Sequence, residues 1–305
     1  MERVSTVARI VPFIISDIPH GARDSLGVRE DVGVRCVYID LDGTLVGRGG
    51  SLLHDGEGSF SLLGVRAIEA CARAGAEVVL MSGRRKAQVS EDARLIGQQS
   101  YIFESGSCLV IDGEEHWLTG ELMPSPEATI HDQIEASGAP ALLLDTYAGR
   151  LEYHDPWHRN REVSHLFRGL IDAFEADDLL EAHGHGALRL VDNGSVHSRS
   201  SDLADLPQVR AYHLVPRGAS KMAGVARHMR ARGYGPDDVI AVGDSREDMA
   251  TAEHVGAFWF VANAIERDPS LREAIAGRPN VHVAEAPYGA GVYEAVVTTF
   301  ARRGA

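Results

Sequence analysis

The 305-residue chain predicts an α/β fold, a Rossmann-like doubly wound parallel sheet that carries a smaller inserted α+β cap domain. Three observations predict it. Short apolar runs rich in Val and Ile alternate with segments of helical period towards both ends of the chain. That alternation breaks between roughly 116 and 213. The polar residues with most chemical reach stand just after the last apolar residue of a strand, where open α/β sheets place their ligands.

Taken in order, residues 1–33 hold Pro12, Pro19, Gly21, Gly27 and Gly33 without a sustained period and read as an N-terminal extension. The first strand is 35–40. Gly47, Gly49, Gly50, Gly56 and Gly58 then mark a flap before a helix over 62–74, which stops at Gly75. A strand from Glu77 to Met81 leads to a helix over 85–96 that stops at Gly97, and Tyr101 to Glu104 turns through Ser105-Gly106-Ser107 into Cys108 to Ile111. The alternation resumes with a helix over 219–232, the strand Val239 to Val242, a helix from 246, the strand Ala257 to Val261 and a helix over 289–302. The core is therefore read as 34–115 plus 214–305, and the insertion as 116–213. Within the insertion the pattern predicts a helix after Pro126, a hairpin of Ala141–Thr146 with Arg150–His154, a helix over 161–176 and a strand from Ala187 to Asp192.

Composition narrows the function. A hydrophobic content of 44% is that of a globular protein with real cores, and a net charge of -14 argues against nucleic acid as a partner, because binding a polyanion needs clustered Lys and Arg. Any anionic ligand must meet a local cationic pocket. Cys36, Cys71 and Cys108 lie in apolar stretches with no metal-ligand spacing, as buried thiols of a reducing compartment do, and no stretch has the length of a membrane span, so a cytoplasmic protein with no membrane partner is expected. Of the 30 cations only Lys86 and Lys221 are lysine; amid such a bias towards Arg, each hints at a need for a compact ammonium.

Four signals carry chemistry. Asp40-Leu41-Asp42-Gly43-Thr44 closes the first strand with two carboxylates. At about 4 Å such a pair repels by roughly 4 kcal/mol at an effective dielectric near 20, so a fold that keeps both supplies a cation or a shared proton, and a divalent metal is the natural supply. Ser82-Gly83 follows the second strand, Lys221 opens the helix after Arg217-Gly218-Ala219-Ser220, and Gly243-Asp244-Ser245-Arg246-Glu247-Asp248 follows the strand 239–242. Singly, each has a plain structural reading as a helix cap, a loop or a solvated surface group.

In this order and spacing, with an insertion between the second and third signals, the chain resembles the haloacid dehalogenase superfamily of phosphatases and phosphomutases. The large-cap members are most similar, since Phe103-Glu104-Ser105-Gly106 and Val261-Ala262-Asn263-Ala264 also resemble theirs. The resemblance implies Asp40 as nucleophile forming an aspartyl-phosphate, Asp42 as general acid/base and Lys221 as the stabilising charge. It implies Mg²⁺ held by Asp40, the backbone carbonyl of Asp42, Asp244 and Asp248, with Gly43, Ser82 and Gly83 binding the phosphate oxygens. Glu247 departs from the Asn that several large-cap relatives carry there.

Arg84, beside Ser82, is a candidate substrate contact, with pairing to an acid as its alternative. Substrate choice is expected in the cap and the flap 45–61, with Arg189 the leading candidate and His154, Asp155, His158, Arg159, His183 and His185 as further donors. The expected partner is a small phosphate ester, a sugar phosphate or phospho-acid, and the enzyme a monomer or homodimer. A phosphomutase is the runner-up, and a catalytically silent sugar-phosphate-binding protein the remote alternative.

Overall fold

The computed structural model describes residues 33–47, 49–196 and 202–303; the extension read over 1–33 falls outside them but for Gly33. The chain opens with β1 (Cys36–Asp40), α1 (Leu63–Ala74), β2 (Glu77–Met81), α2 (Lys86–Leu95), β3 (Tyr101–Phe103), β4 (Cys108–Ile111) and β5 (Glu114–Trp117). It continues through α3 (Ile130–Ala136), α4 (Ala139–Thr146), β6 (Leu151–Tyr153), β7 (His165–Gly169), α5 (Ala173–Ala182), β8 (Leu188–Ser195) and β9 (Arg210–Pro216). It closes with α6 (Lys221–Arg232), β10 (Val239–Gly243), α7 (Arg246–Met249), β11 (Ala257–Phe260), α8 (Ala262–Arg267), α9 (Leu271–Ile275), β12 (Val281–Val283) and α10 (Tyr288–Arg303).

Eight strands form one sheet in the order β12-β11-β10-β1-β2-β3-β4-β5, parallel from β12 to β3 and antiparallel through β4 and β5. β1 is buried along its whole length, which is why it reads as an unbroken apolar run: helices cover both faces. Strand parity sorts its side chains. Val37 and Ile39 join the core under α1 and α10, while Cys36 and Tyr38 join Val225 and Met229 of α6 on the other side. Strand order reverses at β1, so a crevice opens beyond its C-terminal end.

The second sheet, β6-β7-β9-β8, is wholly antiparallel and packs on α3, α4 and α5 around Leu143, Phe167, Leu180 and Tyr212. Two expectations fail here. Residues 139–146 form a helix rather than a hairpin strand, because Pro140 sits in its first turn and the following Ala and Leu residues are strong helix formers. The helix read over 161–176 is instead β7, a turn and then α5, whose start is fixed by Asp172 accepting hydrogen bonds from the N–H groups of Phe174 and Glu175. β5, β9, α8, α9 and β12 went unread; all but β9 are six residues or fewer.

β7 buries unusual cargo. His165 stacks on His131 with ring centroids 3.8 Å apart, beside Tyr153 and Phe167. Burial, reinforced by His131, pushes the His165 imidazole down to about 3, and burial with Arg168 pushes His154 down to about 4. Glu135 lies 3.3 Å from His165 Nδ1, but burial outweighs it and the ring is neutral at pH 7. Because the folded values lie below the unfolded value near 6.5, the unfolded chain binds the extra protons, so this stability is full above about pH 6.5 and is lost as pH falls towards 4. For His165 alone the loss by pH 4 is about 3 kcal/mol. Thermal melts across pH 4–8 should show a steep acid slope that flattens in His165→Gln; an equal slope in both contradicts this assignment.

Candidate active site

The crevice gathers residues far apart in sequence. Asp40, the last residue of β1, is buried and accepts a hydrogen bond from Thr44 Oγ1 at Oδ2 (2.8 Å) and one from Lys221 Nζ at Oδ1 (2.7 Å). The chain leaves β1 through Gly43, whose left-handed backbone (φ 88°) and lack of a side chain let the turn lie against Asp244 and Arg267. Lys221 opens α6, which is capped by Ser220 accepting from the Ala223 N–H. Gly106, also left-handed, fits the β3–β4 hairpin against the Ser220–Lys221 backbone, where any Cβ would clash.

Lys221 donates a second bond, 2.8 Å, to Asp248 Oδ1. The other oxygen of Asp248 accepts from the N–H groups of Asp244 and Ser245 and from Ser245 Oγ, so the capping box that starts α7 also aims the carboxylate at the lysine. Asp244 accepts from Arg267 Nη2 at 2.7 Å. Asn263 Nδ2 donates to the Gly43 carbonyl, while its Oδ1 accepts from the Tyr288 N–H, tying the turn after β1 to the first residues of α8 and α10.

Ligand oxygens of Asp40, Asp244 and Asp248 all lie within 4.8 Å of one another. Burial, with Asp248 and Asp244 adding to it, drives the Asp40 carboxyl well above the usual range despite Lys221. Burial likewise lifts Asp244 to about 6 and Glu247 to about 7. Lys221 is held charged against its own burial by Asp248 and Asp40. Three acids, Asp40, Asp244 and Asp248, thus face two cations, Lys221 and Arg267, and this oxygen-rich cluster fits a hard divalent cation.

Asp42 stands apart from this cluster. Its exposed carboxylate accepts two bonds from Arg84 (Nε at 2.7 Å, Nη2 at 2.6 Å), and Arg84 Nη1 donates to Asp92. So Arg84 takes the alternative its sequence context allowed, pairing with acids, and Asp42 adds no carboxylate to the metal-ligating group. Ser82 is buried, its Oγ accepting from the Arg84 N–H.

From the connection between β6 and β7, Arg161 Nη1 donates to the Gly83 carbonyl and to Ser164 Oγ, and Nε donates to the Trp157 carbonyl. His213 and Asn193 approach Gly83 so closely that a side chain there would strike both. The staple between the two sheets is Glu104. This fully buried carboxylate accepts from the N–H groups of Glu162, Val163 and Ser164 and from Ser164 Oγ, at 2.6 to 3.1 Å. A cavity of about 580 Å³ results, lined by Asp40, Asp42, Ser82, Arg161, His213 and Lys221 among others.

The expectation for Arg189 is not met. Its Nη2 donates to the Ala219 carbonyl, and it lines a neighbouring cavity with Glu247, not the one that holds Asp40, because its register on β8 points it at the loop before α6. His183 does not line the Asp40 cavity either: its Nδ1 lies 2.9 Å from the Leu179 carbonyl at the end of α5. Thr44, Arg161, His213 and Arg267 escaped sequence reading, as did the roles of Glu104 and Asn263. The Phe103–Gly106 and Val261–Ala264 segments were the available signals for the last two.

No family model matches the chain. It is 30% identical over 239 residues to a phosphoglycolate phosphatase of Halorubrum lacusprofundi, covering 77% of this chain and 86% of that one. It is 27% identical over 274 residues to a phosphoglycolate phosphatase of Methanoculleus marisnigri, covering 86% and 95%. Among solved structures, the sucrose-phosphatase of Synechocystis, in complex with sucrose and phosphate, aligns with a TM-score of 0.57 at 16% identity over 88% of this chain and 98% of that one. A haloacid dehalogenase-like hydrolase from Bacteroides thetaiotaomicron aligns at 0.55 and 15% identity, over 87% and 99%. The class is therefore phosphoric monoester hydrolase, and the chain belongs to the haloacid dehalogenase superfamily of phosphatases.

Proposed function

We propose that this enzyme hydrolyses a small phosphorylated hydroxy-acid, 2-phosphoglycolate or a near analogue, through an aspartyl-phosphate on Asp40 with Mg²⁺ as cofactor. The observation that carries the chemistry is the Lys221 ammonium shared between Asp40 and Asp248 at 2.7 and 2.8 Å. It holds Asp40 Oδ1 in place while Thr44 holds Oδ2, so the carboxyl is fixed in orientation within the crevice, and a bound dication would favour its ionised, nucleophilic form. Asp40, Asp244, Asp248 and the Asp42 carbonyl would hold the cation. When bound, it neutralises charge on the transferring phosphoryl group. Ser82 Oγ and the N–H groups of Gly83 and Gly43 would meet the phosphate oxygens, and Asp42, on release from Arg84, would give the leaving oxygen its proton and later take one from water.

The phospho-acid reading rests on the relatives' names and on the cations over the pocket. Arg161 lines the same cavity as Asp40, and its Nη2 carries no hydrogen bond among the described residues. A carboxylate on the leaving group offers that nitrogen a charge-assisted partner, which a neutral sugar does not. Glu104 is a positioning residue in this scheme, since it fixes the segment that carries Arg161 against the loop that carries Ser82.

Asp40→Asn should lower kcat by about 10³-fold or more with substrate binding retained, and chelation should abolish turnover until Mg²⁺ is restored; activity surviving both refutes the mechanism. In a panel of esters, kcat/KM for 2-phosphoglycolate should exceed that for hexose phosphates by at least about tenfold, since a site built for a polar group rejects analogues that lack it. The reverse ranking would return the reading to a sugar phosphate. Glu104→Gln should raise KM for 2-phosphoglycolate roughly 10- to 100-fold, the worth of one or two charge-assisted bonds. Methyl phosphate, whose leaving group carries no carboxylate for Arg161, should be little affected; parallel losses on both esters would make Glu104 merely structural.

A further inference from the structure

We propose that Cys36, Glu77 and His228 form a second metal site, for a divalent ion of the zinc class, at the end of the sheet opposite Asp40. The three residues come from β1, β2 and α6, and their ligand atoms lie within 4.8 Å of one another. Cys36 and His228 are fully buried. Nothing in their sequence spacing points to this, because the sheet register, with Cys36 beside Glu77, and the face of α6 bring them together.

Two features mark a ligand set rather than a packed polar cluster. His228 Nε2 is buried without a hydrogen bond, and its charged neighbour is Glu77 Oε1, an ion-pair contact at 3.4 Å. That separation matches the edge of a tetrahedron built on bonds of about 2.05 Å, roughly 3.3 Å. The ligands are also held from behind. Tyr38 Oη lies 2.8 Å from His228 Nδ1, so a ring that coordinates through Nε2 donates Nδ1–H to the phenol oxygen. Glu77 accepts from Arg232 Nη2 and Tyr234 Oη, each at 3.1 Å.

The charges balance. A Cys36 thiolate and the Glu77 carboxylate offset a dication, and the thiol proton leaves to solvent as the ion enters. A thiolate and an imidazole select a borderline ion over Mg²⁺, so the site does not compete with the oxygen cluster at Asp40. Glu77 keeps its side chain partly in contact with solvent, which gives an ion a path in.

Cobalt(II) is the probe, because only a thiolate ligand gives a sulfur-to-cobalt charge-transfer band in the near ultraviolet and the Asp40 cluster has no sulfur. Titrating the full-length enzyme should produce that band with a one-equivalent endpoint, reversed by Zn²⁺. Cys36→Ser should abolish the band and leave Mg²⁺-dependent phosphatase activity unchanged, and Tyr38→Phe should weaken binding about tenfold or more. A Cys71→Ala/Cys108→Ala variant, with Cys36 its sole thiol, must keep the band. No band in the folded wild type, or a band that persists in Cys36→Ser, overturns the proposal; should Cys36→Ser fail to fold, the Cys36-only variant decides it.

Discussion

One buried ammonium organises this molecule. Lys221 is fully enclosed with Asp40 and Asp248, and taking three charges out of water costs several kcal/mol per ion before their attraction offsets it. Such a triad is poor evidence for stability, because apolar residues of similar volume would do as well. It is strong evidence for function, because its cost is tolerated only where a fixed carboxylate is needed. It also explains the local architecture. Asp248 can serve Lys221 with one oxygen only because the other is occupied by the start of α7, and Lys221 reaches Asp40 only because Gly106 lets the β3–β4 hairpin seat the first turn of α6.

The second sheet depends on that site through the loop after β2. Ser82, Gly83 and Arg84 are contacted from three directions: by β3, whose Ile102 carbonyl accepts from the Ser82 N–H; by Asp42 and Asp92; and by Arg161 of the β6–β7 connection and His213 of β9. Glu104 closes the arrangement from below, one carboxylate satisfying the N–H groups of three successive residues. Bonds to a buried carboxylate are worth more than neutral ones, so residues 162–164 are tied to the core by a few strong directional contacts rather than by broad apolar area.

What the sequence made legible is what lies close in sequence to an apolar strand. Asp40, Ser82, Asp244 and Asp248 could be placed because each follows β1, β2 or β10 within a few residues, and a parallel sheet puts all those ends on one side. Arg267, Arg161 and Glu104 could not, because their roles depend on the reach of long side chains between distant segments. Leu142-Leu143-Leu144 carries no period that separates strand from helix, and only Pro140 favoured the helix. Arg189 failed for a related reason: β8 was found, but which cavity its side chains enter is set by the docking of the sheet on the core.

A single contact between β1 and α6 generates both charged clusters. Cys36, Tyr38 and Asp40 alternate onto the same face of the strand, and Lys221 and His228 stand seven residues apart on α6, close to two full turns, so they share a face of the helix. The two elements run in opposite directions: the helix begins over the end of the strand and descends towards its start. Lys221 therefore meets Asp40 at the top, and His228 meets Tyr38 and Cys36 at the bottom. With Val225 and Met229 packed along this face, the register that aims the lysine at Asp40 also fixes where the histidine falls. A slip of one residue in β1 would turn Asp40 and Cys36 to the opposite face together, so packing that secures the Asp40–Lys221 end necessarily builds the other.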